Sequence, residues 1–177
     1  MDEKQTIERS TIDGFLLLYN GRMNTHYRVI RYADIGQVPD AECRNSAGQE
    51  LNIEVTMTED RPRDIQALLG RSDHKSIEAL TRQQELVKKG LKRPQFSSLQ
   101  GNVLEQLADC ITAKLKKRYG SYTALVVRDT SPLSWNWDKV KEPLIVRLKL
   151  LENPFDKGIW ILGYDKAKLY ELFTGTA

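Results

Sequence analysis

Two short stretches decide the fold: Val38-Pro39-Asp40-Ala41-Glu42-Cys43-Arg44 and Leu51-Asn52-Ile53-Glu54-Val55-Thr56-Met57. The residues between them include Asn45-Ser46-Ala47-Gly48, a turn composition that predicts a β-hairpin. Alternation with period two in the second stretch places its apolar side chains on one face and its polar side chains, Glu54 and Thr56 among them, on the other. The hairpin is therefore predicted to pack one face on the core and to present carboxylates on the opposite face.

Asp40 and Glu54 are the two carboxylates of interest in this hairpin. If Asp40 lies at the open end of the first strand, its carboxylate approaches that of Glu54. Two carboxylates that converge on one point can hold a hard divalent cation. The alternative is a hairpin whose polar face is simply solvated, and the alternation taken alone favours that alternative.

Composition describes a globular domain and excludes several classes of protein. The chain has 177 residues, of which 40% are hydrophobic and 29% charged, and we expect a single domain over residues 1–177. No apolar run approaches the length of a membrane span, so no membrane partner is expected. The charged start of the chain and the two cysteines without a CxxC spacing predict a cytoplasmic protein with free thiols. The net charge of +3 only weakly favours a polyanionic partner.

The order of the predicted elements indicates an α/β fold. Helices are predicted over 2–20, 64–69, 73–89 and 97–119, strands over 27–33, 38–44, 51–57, 121–129 and 158–164, a helix that Pro143 interrupts or starts over 138–150, and a closing helix or turn over 165–173. A helix that links two buried apolar strands favours an α/β sandwich with a mixed sheet.

The residues and their order together resemble the PD-(D/E)xK nuclease superfamily, which has the restriction-endonuclease-like fold. Pro39-Asp40 matches the acidic residue that begins the second strand of that family, and Glu54-Val55-Thr56 matches its third-strand motif. Glu8 is the nearest match to a further carboxylate on the first helix. The resemblance implies a three-layer sandwich with a mixed central sheet flanked by helices. It also implies a metal-dependent endonuclease that hydrolyses phosphodiester bonds in DNA, with Mg²⁺ or Mn²⁺ bound by Asp40, Glu54 and Glu8. Nucleases of this fold often form homodimers, although the sequence carries no interface signal.

Thr56 departs from the family pattern, because a catalytic lysine is expected at this position. A neutral hydroxyl cannot neutralise the charge that grows on phosphoryl oxygens. Lys114, beside Ile111 and Leu115 at the edge of a packed helix face, is the preferred substitute, and Lys75 is a second candidate. A solvated helix residue is the competing interpretation for either lysine. Thr56 and Lys114 are thus the residues predicted to attend the attacking water.

Basic residues cluster in three places that could contact a nucleic-acid backbone. These residues are Arg61 and Arg63, then Lys88, Lys89, Lys92 and Arg93, and finally Lys116 and Lys117. For the last pair, a cation complementing the dipole at a helix end is an equally good explanation.

Two alternatives to a nuclease stay open on the sequence. The first is a catalytically degenerate member of the same fold that binds nucleic acid or protein without hydrolysis. The second is an α/β protein of unrelated function in which Pro39-Asp40 and Glu54-Val55-Thr56 match the pattern by coincidence.

Overall fold

A six-stranded mixed sheet organises the described part of the chain. The computed structural model describes residues 3–34, 36–57, 96–129, 137–148, 152–163 and 168–175. Its elements are, in chain order, α1 (Glu3–Met23), β1 (Arg28–Tyr32), β2 (Ala41–Arg44), β3 (Glu50–Met57), α2 (Phe96–Leu115), β4 (Thr123–Arg128), α3 (Trp137–Leu148), β5 (Ile159–Leu162) and β6 (Leu169–Phe173). None of these helices combines the length and the apolar character that a membrane crossing requires. Cys43 and Cys110 are free thiols.

The strands lie in the sheet in their order along the chain. β1, β2 and β3 form an antiparallel meander, β4 and β5 continue the sheet in parallel with β3, and β6 closes it antiparallel to β5. The predicted α/β class with a mixed sheet is confirmed.

The β2–β3 hairpin forms as its turn residues predict. Gly48 adopts a φ of 79°, a left-handed conformation that costs glycine little. The Asn45 side chain accepts hydrogen bonds from the backbone N–H groups of Ala47 and Gln49, at 3.1 and 2.9 Å. This turn fixes the strand register, in which Ala41 pairs with Ile53 and Cys43 with Leu51.

Helices cover both faces of the sheet, each over its own apolar cluster. On one face, side chains of α1 such as Phe15 pack against Leu51, Ile53 and Val55 of β3. On the other face, α2 and α3 pack against β4 and β5 through side chains that include Leu107, Ile111, Leu125, Leu144 and Ile159. Each large aliphatic side chain buried in this way contributes about 1.5–3 kcal/mol. The β3 alternation therefore directs Leu51, Ile53 and Val55 toward α1 and Glu54 toward α2.

Within the described residues, two elements differ from the sequence prediction, whereas the helices predicted over 64–69 and 73–89 lie outside those residues. The helix or turn predicted over 165–173 is wrong for its second half, since Leu169–Phe173 is strand β6. All four residues of β5 are buried, so its backbone needs hydrogen-bonding partners along both edges, and β6 supplies them on one. Pro143 neither interrupts nor starts α3, which runs through it. Leu144 and Leu148 are fully buried there, and this packing outweighs the lost hydrogen bond.

Candidate functional site

The hairpin register brings Asp40 and Glu54 to the same place. Because Ala41 pairs with Ile53 in an antiparallel ladder, the next residues outward, Asp40 and Glu54, lie opposite each other. Ala41 and Ile53 both belong to the α1-side core, so the two carboxylates lie on the α2 face. Asp40 Oδ2 accepts a 2.7 Å hydrogen bond from the backbone N–H of Val55, which fixes its carboxylate against β3.

Glu54 is a buried carboxylate whose two oxygens differ. The residue is only 1% exposed. Its Oε1 accepts a hydrogen bond from Lys114 Nζ at 2.7 Å and a longer one from the Tyr119 hydroxyl at 3.4 Å. Its Oε2 is buried and has no hydrogen-bond partner in the described part of the chain. A buried polar atom left in this state costs about 1–3 kcal/mol or more, so Oε2 marks a position suited to a ligand.

Negative charge accumulates around Asp40. Burial raises the pKa of the Asp40 carboxyl to about 6, and the charges of Glu54 and Glu8 act in the same direction. The Val55 N–H and the Lys114 ammonium oppose this rise but do not cancel it. Burial, followed by the charge of Glu54, also raises the pKa of the Tyr119 hydroxyl, which therefore stays protonated and acts as a donor. A cation bound between these carboxylates would relieve their mutual repulsion.

A cavity of about 200 Å³ opens onto these groups. Its wall includes every described residue of the predicted site except Lys116: Glu8, Asp40, Glu54, Thr56, Lys114 and Lys117. Arg9 of α1, which was not predicted, also lines the cavity. The N-terminal half of α1, the hairpin strands and the end of α2 thus converge on one pocket.

Lys116 is the remaining predicted nucleic-acid contact that lies within the described residues. Lys116 is exposed and is not part of the cavity wall. Six further residues, together with the alternative lysine Lys75, lie outside the described ranges: Arg61, Arg63, Lys88, Lys89, Lys92 and Arg93.

Tyr119 and Arg9 are site residues that the sequence does not reveal. Tyr119 follows α2 and packs its ring on Phe155, with the ring centroids 4.6 Å apart, which places its hydroxyl beside Glu54. An aromatic residue at the end of a basic helix is equally typical of an ordinary core contact. Arg9 follows Glu8 on α1, and only the packing of that helix against the sheet brings it to the cavity.

The oxygen ligands of the cavity determine whether it fits a divalent metal ion. Within the described residues, no group of three or more His, Cys, Asp and Glu side chains is placed to hold a metal. Mg²⁺, however, is commonly bound by one or two carboxylates together with waters and substrate phosphates. Asp40 and the unpartnered Oε2 of Glu54 supply two hard oxygen ligands of this kind. The residues therefore fit a cation that shares its coordination with solvent and substrate.

Comparisons with protein-family models, with curated proteins and with solved structures gave no match to the chain. The resemblance to PD-(D/E)xK nucleases thus stays a prediction carried by the residues themselves. Function has to follow from the geometry and the charges of this cavity.

Proposed function

We propose that the protein is a metal-dependent phosphodiesterase that cuts nucleic acid, with DNA as the expected substrate and Mg²⁺ or Mn²⁺ as the cofactor. One observation carries this proposal: Glu54 is buried beside Asp40, and its Oε2 has no partner among the described residues. A divalent cation would satisfy that oxygen and would favour the ionised form of Asp40, whose pKa is raised by burial and, to a smaller extent, by the charges of Glu54 and Glu8.

The restriction-endonuclease-like sandwich belongs to this proposal. An α-helix, a three-strand antiparallel meander, a further helix and a strand parallel to the third follow one another along the chain. This is the order that the resemblance implies, and the helices lie on both faces of the sheet. Asp40 precedes the second strand of the meander, and Glu54 lies within the third.

In the proposed site, Asp40 and Glu54 would hold the cation and Glu8 would add negative charge from the cavity wall. A bound cation of this kind polarises a phosphoryl oxygen and lowers the pKa of a coordinated water. Lys114 would supply the positive charge that Thr56 lacks, since its ammonium group already lies 2.7 Å from Glu54 Oε1. The Thr56 hydroxyl lines the same cavity and can hydrogen-bond a water without contributing charge.

Cleavage of plasmid DNA with added Mg²⁺ or Mn²⁺ tests the proposal. We expect Asp40→Asn and Glu54→Gln each to lower the cleavage rate by at least about 100-fold, because a metal ion contributes several kcal/mol to such reactions. Glu50→Gln is the matched control, since Glu50 lies on the same strand but is exposed and pairs with Arg44. Metal-dependent cleavage that survives both site substitutions would show that the site is elsewhere.

The Lys114–Glu54 ion pair favours a second candidate, a binding module of the same fold without hydrolysis. Lys114 neutralises Glu54 from within the chain, so one of the two carboxylates already has a counter-charge. Titration calorimetry with Mg²⁺ and Mn²⁺ separates the two candidates. No binding at millimolar metal, with nucleic-acid affinity unchanged by Asp40→Asn, would support the binding module.

A further inference from the structure

Two cations in the cavity wall have no assigned partner in the proposed metal site. Arg9 comes from α1, and Lys117 lies just past the end of α2. Both line the cavity that holds Asp40 and Glu54. Neither side chain forms an ion pair or a hydrogen bond with a described residue. Cationic side chains without an ion-pair partner among the described residues can bind an anionic ligand.

Arg9 is held in place by an aromatic ring rather than by an acid. Its guanidinium carbon lies 4.8 Å from the centroid of the Tyr32 ring. The Tyr32 hydroxyl donates a 2.6 Å hydrogen bond to Asp13 Oδ1, which anchors the ring. Stacking of this kind orients a guanidinium group and leaves its in-plane N–H donors available for a phosphate.

Lys117 is the counterpart of Arg9 from α2. Its backbone N–H donates to the Lys114 carbonyl at 3.0 Å, which ties it to the helix end that carries Lys114. Its side chain is exposed, and it reaches the cavity wall, whereas that of the neighbouring Lys116 does not.

The cavity is small, and its described wall offers little surface on which a base could stack. Small-molecule sites usually enclose about 300–1,000 Å³, more than this cavity of about 200 Å³. Tyr32 is the only aromatic residue among the described residues of the wall, and Arg9 covers a face of its ring. The space therefore suits a phosphodiester group with a cation, and its described wall has no open aromatic face on which a nucleobase could stack.

We infer that Arg9 and Lys117 bind the phosphodiester backbone at this cavity, and that recognition there is independent of base sequence. This inference deepens the proposed function, since the ligand it names is the substrate of the same site. Phosphate contacts position a nucleic acid without specifying its sequence. Arg9 offers a planar fork for two phosphate oxygens, and Lys117 offers a point charge.

Equilibrium binding in EDTA tests the inference without any cleavage. The probes are fluorescent single-stranded oligonucleotides of two different base sequences, titrated over a range of salt concentrations. We expect Arg9→Gln and Lys117→Gln each to weaken binding to both sequences by the same factor, at least about tenfold. Each should also reduce the slope of log affinity against log salt by about 0.7, as loss of one phosphate contact requires.

Lys116→Gln is the matched control, because it removes the same charge from the same helix end but outside the cavity wall. Arg9→Lys should retain the salt slope, and Lys117→Gln affects an exposed side chain that folding does not need. Unchanged slopes in Arg9→Gln and Lys117→Gln, an equal loss in Lys116→Gln, or different losses for the two base sequences would each overturn the inference. If the salt slopes fall as expected but no metal-dependent cleavage is found, only the proposed hydrolysis is contradicted.

Discussion

Asp156, in the loop before β5, and Glu54, on β3, are two carboxylates whose hydrogen bonds differ. Asp156 Oδ2 and Oδ1 accept hydrogen bonds from the backbone N–H groups of Tyr122 and Thr123, both at 2.7 Å. Glu54 receives no backbone donor on Oε2 within the described residues, and its Oε1 is bound by a lysine side chain. Both oxygens of a structural carboxylate such as Asp156 accept hydrogen bonds from the chain itself, whereas Oε2 of Glu54 can still accept a bond from a ligand or bind a cation.

The surroundings of Asp156 explain why that carboxylate is structural. The Lys157 N–H donates to the Thr123 carbonyl at 3.0 Å, so the loop is fastened to β4 by main-chain bonds as well. Gly158, the next residue, has a φ of 85°, and a Cβ there would lie 2.5 Å from the Phe173 carbonyl oxygen. Only glycine fits this close approach between the loop and the end of β6. Both carboxylate oxygens of Asp156 therefore have donors from the described chain itself.

Lys114→Met should produce the largest effect, because it leaves Glu54 buried without a counter-charge. Removing one partner of a buried ion pair costs about 3–5 kcal/mol, and we expect a loss of this size in the free energy of unfolding without metal. Added Mn²⁺ should restore part of that loss, since it replaces the missing cation. Urea denaturation with and without Mn²⁺ measures both quantities.

Lys116→Met is the control for that experiment, since Lys116 is exposed and its loss should change stability by less than about 0.5 kcal/mol. A metal-free Lys114→Met protein as stable as the wild type would mean that Glu54 does not depend on the lysine for its charge. The contrast with Asp156 would then lose its basis.

Asp156→Ala should have the next largest effect, and it should act on stability alone. The substitution leaves two backbone N–H groups without their acceptor, which costs about 1–3 kcal/mol. Metal should not restore this loss, and the cleavage rate per folded molecule should stay unchanged. Asp109→Ala, at an exposed position of α2, is the control in the same denaturation assay. Recovery of Asp156→Ala by Mn²⁺ would show that this carboxylate also binds metal.

Much of the fold could be predicted because local periodicity determines it. The β2–β3 hairpin follows from a turn sequence and an alternation contained within twenty residues, and the same alternation directs Glu54 away from Leu51 and Ile53. β6 could not be predicted in this way. Its apolar residues suit a helix as well as a strand, and the deciding factor is the unpaired edge of β5, which is a tertiary requirement.

The residues of the candidate site likewise fall into those placed by local sequence and those placed by tertiary packing. Asp40 and Glu54 are neighbours through the hairpin register, which the sequence encodes locally. Lys114 was predicted from its position at the edge of an apolar helix face, and its contact with Glu54 arises only when α2 packs on the sheet. Tyr119 and Arg9 give no local signal, because the first depends on Phe155 and the second on the approach of α1. The catalytic and metal-binding roles of Asp40, Glu54 and Lys114 stay predictions.

The pH dependence of metal binding should give the smallest of the expected effects. It also distinguishes the Asp40–Glu54 site from Asp156. Burial, reinforced by Glu54 and Glu8, raises the pKa of Asp40 from 3.8 to about 6. Between these values the folded protein holds a proton that the unfolded chain has released. The contribution of Asp40 to stability therefore falls as the pH rises from about 4 to about 6 and is constant above that.

A cation at Asp40 must displace the same proton, so metal affinity changes in the opposite direction. We expect the Mn²⁺ affinity measured by calorimetry to rise about tenfold between pH 5 and pH 7, about half of that rise on a logarithmic scale or more coming below the pKa of Asp40, and to level off at higher pH. Asp40→Asn should abolish this dependence together with most of the affinity, whereas Asp156→Ala should keep it, because Asp156 is committed to Tyr122 and Thr123. An affinity independent of pH over this range would place the bound ion away from Asp40, and the unpartnered oxygen of Glu54 would then need another ligand.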